Sequence, residues 1–253
     1  VLNQGGRSGM SSPRARHTTA VLLMGELALT VILLASAGAL VRSAEGVYRS
    51  DQAIDLARLW EFRVALPEPQ YASAERRLAF YRALDERLAA APALESAALA
   101  GSPPFNASES GEVVIDNTAK GTVRVVAAGN RYFETLGLSL VRGVGLDNTA
   151  TGASPTALVN ERFVERFLPG TDPIGREVLL NSDGEGASPE PFTIVGVAPQ
   201  LRQQVASGHT PVIYVPHAAR PGKVASLLVR GRPEQFVDVL RQGVRRLDPD
   251  LPL

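Results

Sequence analysis

The sequence predicts an α+β (mixed α/β) protein that carries one membrane-spanning helix near its N-terminal end. Three observations lead to this prediction: a single long apolar run, short strand-like segments that alternate with amphipathic helices, and turn residues between them. The 253 residues include 18 prolines and 23 glycines, mostly in short clusters, which indicates many turns and therefore many short strands. Helices that alternate with strands and hairpins are typical of α+β or mixed α/β domains.

The apolar run covers residues 20–41 (AVLLMGELALTVILLASAGALV) and holds one charged residue, Glu26. At the rise of an α-helix this run reaches roughly 33 Å, and the hydrocarbon core of a bilayer is about 30 Å thick. Because lipid offers no hydrogen-bond partners to the backbone, an inserted segment must be helical. Residues 42–253 contain no second run of this kind. The sequence therefore predicts a water-soluble domain held at a membrane by one helix.

A cleaved signal peptide is the alternative interpretation of this run. Arg7, Arg14 and Arg16 would form its basic region, and residues 35–37 (Ala-Ser-Ala) resemble a cleavage site. The run continues past that site to Val41, beyond the apolar core of an ordinary signal peptide. Its length therefore favours a permanent anchor.

Charges and small residues predict the orientation and the neighbours of the helix. Three arginines precede the run and two, Arg42 and Arg49, follow it, so the positive-inside rule gives the N-terminus a small preference for the cytoplasm. Small residues that would let another helix approach fall near one stripe: Gly25, Ala28, Ala35 and Ala39. Glu26 lies beside this stripe, and it either contacts a partner helix or reaches the water at the headgroups.

The soluble part begins with a predicted strand, helix and strand. Residues 59–66 (LWEFRVAL) alternate as a strand does, and residues 67–69 (Pro-Glu-Pro) break it. Ser73 is placed to cap a helix that Pro92 ends. The apolar stripe of this helix is Leu78, Tyr81, Leu84 and Leu88. Residues 94–100 then form a short apolar strand.

A hairpin and a short helix come next. Residues 112–116 and 122–128 read as two strands joined by a turn that contains Asn117 and Gly121. Residues 130–136 predict a short helix.

A strand at residues 155–159 runs into a helix that Asn160 caps and residues 169–170 (Pro-Gly) stop. The residues expected to face inward from this helix are Phe163, Val164 and Phe167.

Four more strands and a final helix complete the predicted domain. The strands are residues 177–180, 192–197, 212–215 and 226–229. The last helix begins at Pro233, since proline is favoured at a first helical position, and Pro249 closes it. Its apolar stripe is Phe236, Val237, Leu240, Val244 and Leu247.

Composition and motifs give no support for catalysis or for nucleic-acid binding. The formal net charge is 0 with no basic stripe, and the absence of cysteine excludes disulfides and thiolate metal sites. Residues 222–223 (Gly-Lys) lack the upstream glycine of a phosphate-binding loop, and residues 143–145 (Gly-Val-Gly) lack the third glycine of a dinucleotide fingerprint. The Gly-x-Ser-x-Gly pattern of serine hydrolases is missing.

Three polar features fit turns or solvated loops better than ligand sites. His209 and His217 flank a predicted strand without a metal-binding spacing or nearby carboxylates. Asp116-Asn117 and Asp147-Asn148 lack the regular acidic spacing of a calcium loop, and residues 106–108 (Asn-Ala-Ser) are a lone glycosylation sequon. We therefore predict no catalytic, cofactor-binding or metal-binding residue, and no enzyme activity.

Several segments, taken in order, carry a resemblance. They are GELALTVILLASAGALVRS in the apolar helix, LDERLAAAP (84–92), NRYFETLGLSLVRG (130–143), ALVNERFVERFLPGTDPIGREV (157–178), FTIVGVAPQLR (192–202), VIYVP (212–216) and the ending RRLDPDLPL. In this order and spacing the chain resembles the FtsX-like family of ABC transporter permeases, of the acidobacterial duplicated type with MacB-like periplasmic core domains. The resemblance covers nearly the whole chain.

The resemblance implies a two-lobed domain in which the second lobe is inserted into the first. It implies a cytoplasmic basic leader (1–19), a transmembrane helix (20–41), a stalk (42–58), a membrane-proximal lobe in two parts (59–127 and 217–253) and an inserted second lobe (128–216). It also implies that this chain is a fragment from the second half of a duplicated permease.

The resemblance further implies a non-enzymatic periplasmic domain that couples ATPase-driven movement of membrane helices to the extracytoplasmic side, in transport or mechanotransmission. The expected partners are a separate cytoplasmic ABC ATPase subunit, other transmembrane helices of the same permease and the lipid bilayer, and a dimer is a possible assembly. We expect no cofactor and no nucleic acid, and a location in the bacterial inner (plasma) membrane with the bulk of the chain outside. The alternative function is a membrane-tethered extracytoplasmic sensor or solute-binding domain with a cleft between its lobes.

Overall fold

The computed structural model describes residues 13–50, 54, 56–104, 106, 109–116, 119–146, 155–182, 189–201 and 210–251. The chain divides into two compact units, residues 1–50 and residues 51–253. The second unit combines helices with an extensive sheet, and the predicted α+β class is confirmed.

The first unit contains one long helix, α1 (Pro13–Ser50). Its apolar span, Val21–Leu40, has a mean hydropathy of 2.1 and is long enough to cross a bilayer. The hydroxyls of Thr30 and Ser36 each donate to the carbonyl oxygen four residues earlier at 2.8 Å, so these polar groups need no partner from lipid. The predicted apolar helix is confirmed. The observed helix is longer than the apolar run, since it begins within the predicted leader and extends into the predicted stalk as far as Ser50.

The described part of the second unit contains short helices and strands in alternation. The helices are α2 (Glu68–Tyr71), α3 (Ala74–Ala89), α4 (Tyr132–Leu136), α5 (Glu161–Phe167) and α6 (Pro233–Leu247). The strands are β1 (Leu59–Ala65), β2 (Ser96–Ala100), β3 (Ser110–Ile115), β4 (Ala119–Ala128), β5 (Arg142–Gly143), β6 (Thr156–Asn160), β7 (Glu177–Ser182), β8 (Glu190–Ala198), β9 (Val212–Pro216) and β10 (Val224–Arg230).

Strands β1, β10 and β2 form an antiparallel layer, in that order, which we call the open sheet. Helices α3 and α6 cover one face of it. Their apolar stripes, which include Leu84 and Phe236, pack against Val64, Leu99 and Leu227 of the three strands. The alternation predicted for residues 59–66 and the helical stripes thus meet in one core.

The remaining long strands close into a six-stranded ring, which we call the ring. The order is β4-β3-β7-β8-β6-β9, and β9 closes the ring by pairing in parallel with β4. Alternate residues of these strands form one apolar cluster with Phe163 and Leu168, from α5 and its end. The short strand β5 pairs with β8 outside this path.

A narrow junction joins the ring to the open sheet. Strands β2 and β4 pair at a single position, Ala100 with Ala128. A shared apolar cluster surrounds this position, in which Tyr132 and Phe133 of α4 pack with Tyr214 of β9. The two regions are therefore held together by apolar packing more than by strand pairing.

The predicted break at residues 67–69 is confirmed, because β1 ends at Ala65; Pro67 and Pro69 also begin the one-turn helix α2, where proline costs no hydrogen bond. Two local predictions need correction. On α3 Phe80 joins the buried stripe, whereas Leu78 is half-buried. Strand β5 was not predicted, since two residues are too short to show alternation.

The lobe boundaries at residues 128 and 216 stay predictions. Strand pairing nevertheless has a bearing on them, because β3 pairs with β7 and β4 pairs with β9. The β3–β4 hairpin thus belongs to the ring by hydrogen bonding, although it precedes residue 128.

Candidate functional site

The residues that the sequence singled out do not come together. Among the residues that the structure describes, no group of three His, Asp or Glu side chains is arranged to hold a metal ion. Of the two histidines near β9, His217 follows the strand directly and His209 lies outside the described residues. Asn117, the pair Asp147-Asn148 and residues 107–108 also lie outside them.

The remaining residues from these motifs that the structure describes lie in turns or form ion pairs. Gly143 has a positive φ of 83°, a conformation that glycine adopts without strain. Asp116 also has a positive φ, 49°, in the β3–β4 turn, and its carboxylate pairs with Arg176. Lys223 of the Gly-Lys pair forms an ion pair with Glu68. These features have structural roles in turns and at the ends of elements.

His217 is buried, which corrects the prediction of a solvated loop histidine. Only 3% of its surface is exposed, and its ring packs edge-on against Tyr81 with 4.8 Å between the centroids. Its Nε2 atom finds no hydrogen-bond partner in the described part of the chain. Burial lowers the pKa of His217 to about 4, because the charged imidazolium would lose its hydration.

A small cavity lies beside His217 and is lined by α3, by β2 and by the turn between β4 and α4. Its walls include Tyr81, Asp85, Leu99 and Gly129, and its volume is about 30 Å³. Burial raises the pKa of Asp85, the nearby positive charge of Arg131 opposes this, and Glu86 adds to the rise. His217 and Asp85 are therefore both shifted toward their uncharged forms.

This cavity is too small for an organic substrate, since ligand pockets have volumes of about 300–1,000 Å³. Its volume suits a single ordered water, which needs polar partners such as His217 Nε2. A general base works best when its pKa lies near the operating pH, and burial moves the pKa of His217 well below that range. The arrangement supports a structural role for His217.

Three larger depressions on the described surface are open to solvent. The smallest, of about 240 Å³, lies between the end of α3 and α6, and the other two are larger. One, of about 480 Å³, lies between α2, α3 and the end of α6 and includes Phe80 and Pro249. Within it the Tyr71 hydroxyl donates to Asp248 Oδ2 at 2.9 Å, and burial, followed by this bond, raises the pKa of Tyr71 to about 12. The other, of about 460 Å³, lies beside α5 and is lined by Glu161, Arg162, Glu165 and Gln200. Neither has the apolar enclosure typical of small-molecule sites.

Asn160 is the most heavily bonded buried side chain of the ring. It is predicted only as the cap of α5, and its Oδ1 does accept from the backbone N–H of Phe163 at 3.0 Å. The same oxygen accepts from the N–H of Val212 at 2.9 Å, and Nδ2 donates to the carbonyl oxygen of Thr210 at 2.9 Å. Asn160 thus ties α5 and β6 to the start of β9, a role for which the sequence carries no signal.

The described residues thus form an apolar span, a ring and an open sheet, and the cavity beside His217 has room for little more than a water. A family model described as the MacB-like periplasmic core domain matches residues 19–247. The chain belongs to this family. The resemblance predicted from the sequence motifs is thereby confirmed, and the match includes the whole apolar span as well as the ring and the open sheet.

Several solved structures are similar to this chain. The periplasmic region of MacB from Actinobacillus actinomycetemcomitans is 16% identical over 80% of this chain and 89% of that chain, with a TM-score of 0.50. A domain of a permease protein from Porphyromonas gingivalis is 17% identical over 66% of this chain and 68% of that chain, with a TM-score of 0.44. The extracellular domain of the ABC-type transporter YknZ from Gram-positive bacteria is 13% identical over 76% of this chain and 93% of that chain, with a TM-score of 0.46. No curated protein sequence matches the chain.

Membership of the MacB-like family gives the general kind of domain. Family members are non-catalytic periplasmic domains of membrane-anchored ABC transporter permeases, and such permeases work with a cytoplasmic ABC ATPase. One apolar helix near the N-terminus agrees with membrane anchoring.

Proposed function

We propose that this chain is the extracytoplasmic part of an ABC-type permease, and that it couples ATPase-driven movement of membrane helices to the extracytoplasmic side. The observation that carries the proposal is the family match, which begins at residue 19 and so includes an apolar span of the length of a bilayer together with the folded domain. A domain tethered by such a helix moves with the membrane part to which it is attached. Its output is then a mechanical displacement in transport or mechanotransmission.

The partners follow from this proposal. A separate cytoplasmic ABC ATPase subunit supplies the energy, and other transmembrane helices of the same permease pack against the apolar span in the lipid bilayer. A dimer is a possible assembly of such units. The location is the bacterial inner membrane, with a cytoplasmic leader at residues 1–19 and the domain outside. The membrane-proximal lobe then consists of residues 59–127 and 217–253, and the inserted lobe of residues 128–216.

Topology is the first test, and the chain suits it because it contains no cysteine. Glu86 lies exposed on α3, so Glu86→Cys introduces a single reactive thiol on the folded domain. A membrane-impermeant maleimide should label Glu86→Cys in intact spheroplasts. The matched control, Ser8→Cys in the leader, should be labelled only after permeabilisation. Protection of Glu86→Cys in intact spheroplasts would reject the proposed topology.

A ligand screen separates coupling from the alternative of a sensor or solute-binding domain. A ligand that binds the folded state raises its unfolding temperature by mass action. The coupling function predicts no reproducible stabilisation of the detergent-solubilised chain by amino acids, sugars, peptides or metal ions. Stabilisation by one of these classes that increases with its concentration would favour the alternative.

A further inference from the structure

The chain passes from the open sheet to the ring through residues 101–109 and returns through residues 217–223. The second connection, from the end of β9 to the start of β10, is the segment that we call the strap. A seven-residue surface connection is ordinarily among the more mobile parts of a domain. The strap, in contrast, is held in place by contacts with both the ring and the open sheet.

Arg220 attaches the strap to the ring. Its Nη1 lies 2.7 Å from Glu109 Oε1 and its Nη2 lies 3.1 Å from Glu190 Oε2. Glu109 immediately precedes β3, and Glu190 begins β8. The Arg220 side chain is only 14% exposed, so its planar group is held in place while it bonds to carboxylates from two separate segments.

The other end of the strap is attached to the open sheet and its helices. Arg77 Nε of α3 donates to the carbonyl oxygen of Pro221 at 2.7 Å, and the Tyr81 hydroxyl donates to that of Gly222 at 3.0 Å. The carbonyl oxygen of Lys223 accepts from the N–H of Leu66 at 2.8 Å. Three successive strap residues are thus bonded to the open-sheet side, directly after the residue that is bonded to the ring.

The contacts of the strap matter for the relative orientation of the ring and the open sheet, because the junction between them is narrow. The shared cluster around Ala100 and Ala128 holds the two regions in contact, but apolar attraction is non-directional. Two backbone hydrogen bonds, each 2.8 Å long, flank the Ala100–Ala128 pair and fix the junction at this one point. Charge-assisted hydrogen bonds from a planar guanidinium are also directional. Arg220 therefore adds a second directional attachment, which limits rotation of the ring relative to the open sheet.

We propose that Arg220 is a positioning residue that makes the strap a stiff link, so that a displacement of the open sheet is passed to the ring. The transmission part of this inference rests on the proposed coupling function. The stiffness itself is a property of the isolated chain, and it can be measured without an ATPase or a substrate.

The test is a distance distribution between the two regions. Glu86 on α3 and Lys120 on β4 are both exposed, and the cysteine-free chain allows spin labels at Glu86→Cys and Lys120→Cys alone. Pulsed electron paramagnetic resonance on the full chain in lipid nanodiscs should give one narrow distribution. Arg220→Ala should at least double its width or add a second population. Arg220→Lys should give an intermediate width, because an ammonium keeps the positive charge but lacks the rigid planar arrangement of donors.

Arg162→Ala is the matched control, because Arg162 pairs with Glu165 within one turn of α5 and does not join the two regions. It should leave the distribution unchanged. If Arg220→Ala fails to fold, the combined variant Glu109→Gln and Glu190→Gln removes the same two ion pairs and should show the same widening. An unchanged width in whichever of these variants folds would overturn the inference. Protection of Glu86→Cys from labelling in spheroplasts would instead reject the proposed function and leave the measured stiffness standing.

Discussion

The ring and the open sheet solve the same problem, an exposed strand edge, in different ways. In the ring, β9 returns to β4, so the strands of the cycle pair on both sides. In the open sheet, β1 pairs with β10 and lies at the end of the strand order. Trp60 on that strand is 41% exposed, although Phe62 and Val64 on the same face pack into the core beneath α6 and α3.

This difference places rigidity in the ring and adaptability in the open sheet. A strand of the closed ring cannot slide without breaking its pairs with the neighbours on both sides, whereas the edge strand of an open sheet has pairs on one side alone. The open sheet can change its twist, and its helices contribute much of its core. This difference agrees with the coupling function that we propose.

The largest expected effect on stability comes from truncating a large side chain in the core of the ring. Phe163 is fully buried, so Phe163→Ala should lower the free energy of unfolding by about 3–5 kcal/mol through lost transfer and a residual cavity. The chain has one tryptophan, Trp60, which lies in the open sheet. Urea unfolding of the full chain in detergent can be followed by Trp60 fluorescence. It therefore shows whether a destabilised ring lowers the unfolding midpoint of the open sheet.

Because the two regions share an apolar cluster, we expect Trp60 to report the full loss in Phe163→Ala. Phe236→Ala, in the core of the open sheet, is the control that must shift the Trp60 transition in either case. A Trp60 midpoint that stays at its wild-type value in Phe163→Ala, while circular dichroism shows an earlier step, would mean that ring and open sheet unfold independently.

The next effect in size is a dependence of stability on pH that originates in the strap. Burial lowers the pKa of His217 from 6.5 to about 4, so between these values the unfolded chain binds more protons than the folded one. The contribution of neutral His217 to the free energy of unfolding is therefore fully present above about pH 6.5. It is lost as the pH falls toward 4, and the loss amounts to roughly 3 kcal/mol. Asp85 acts in the opposite direction, because its raised pKa favours the folded state as acid is added.

The measurement compares wild type with His217→Gln, which carries no titrating group at this position. Urea midpoints at pH 7, 6, 5 and 4 should fall more steeply for the wild type, and the difference between the two slopes isolates His217. Equal slopes would show that His217 is hydrated in solution and that the strap is looser than its contacts indicate. Tyr81 also lines the cavity, and burial raises its pKa to about 12, so it does not titrate in this range.

Local elements could be predicted from the sequence, whereas the partners of distant segments could not. Alternation in residues 59–66 and 192–197 and the apolar stripe after Pro233 are local signals, and the structure has β1, β8 and α6 there. The parallel pairing of β4 with β9 joins segments about ninety residues apart and leaves no mark on either one. Closure of the ring was therefore beyond sequence reasoning.

The candidate site shows the same limit more sharply. Arg220 and Glu109 are 111 positions apart, and neither lies in a motif. His217 follows a strand and precedes a polar stretch, which is typical of a solvated residue, but α3 happens to pack over it with Tyr81. Burial by a distant element is a tertiary effect, and a local pattern cannot contain it.

A smaller effect is expected at Asn160, the buried cap in the ring. Asn160→Ala leaves the N–H groups of Phe163 and Val212 without their acceptor, so we expect a loss of about 1–3 kcal/mol. Asn160→Asp keeps the accepting oxygen but loses the Nδ2 donation to Thr210, and it should also destabilise, because it buries a carboxylate. Hydrogen exchange should show the loss in the first turn of α5 and at the start of β9 together. Faster exchange in α5 alone would mean that Asn160 does not link the two segments.

The smallest effect is expected at the corresponding cap in the open sheet, which completes the comparison. Ser73 caps α3 by accepting from the N–H of Arg76 at 3.3 Å, and it is exposed, so water replaces the bond when it is lost. Ser73→Ala should therefore cost only about 0.5–1 kcal/mol, the lower part of the range for helix caps. Thermal unfolding of Ser73→Ala, Asn160→Ala and wild type under one condition gives the ratio of the two losses. If Ser73→Ala destabilised the chain as much as Asn160→Ala, the start of α3 would be as important for stability as the Asn160 cap. The contrast between a rigid ring and an adaptable open sheet would then be wrong for α3, the helix whose Arg77 and Tyr81 bond to the strap.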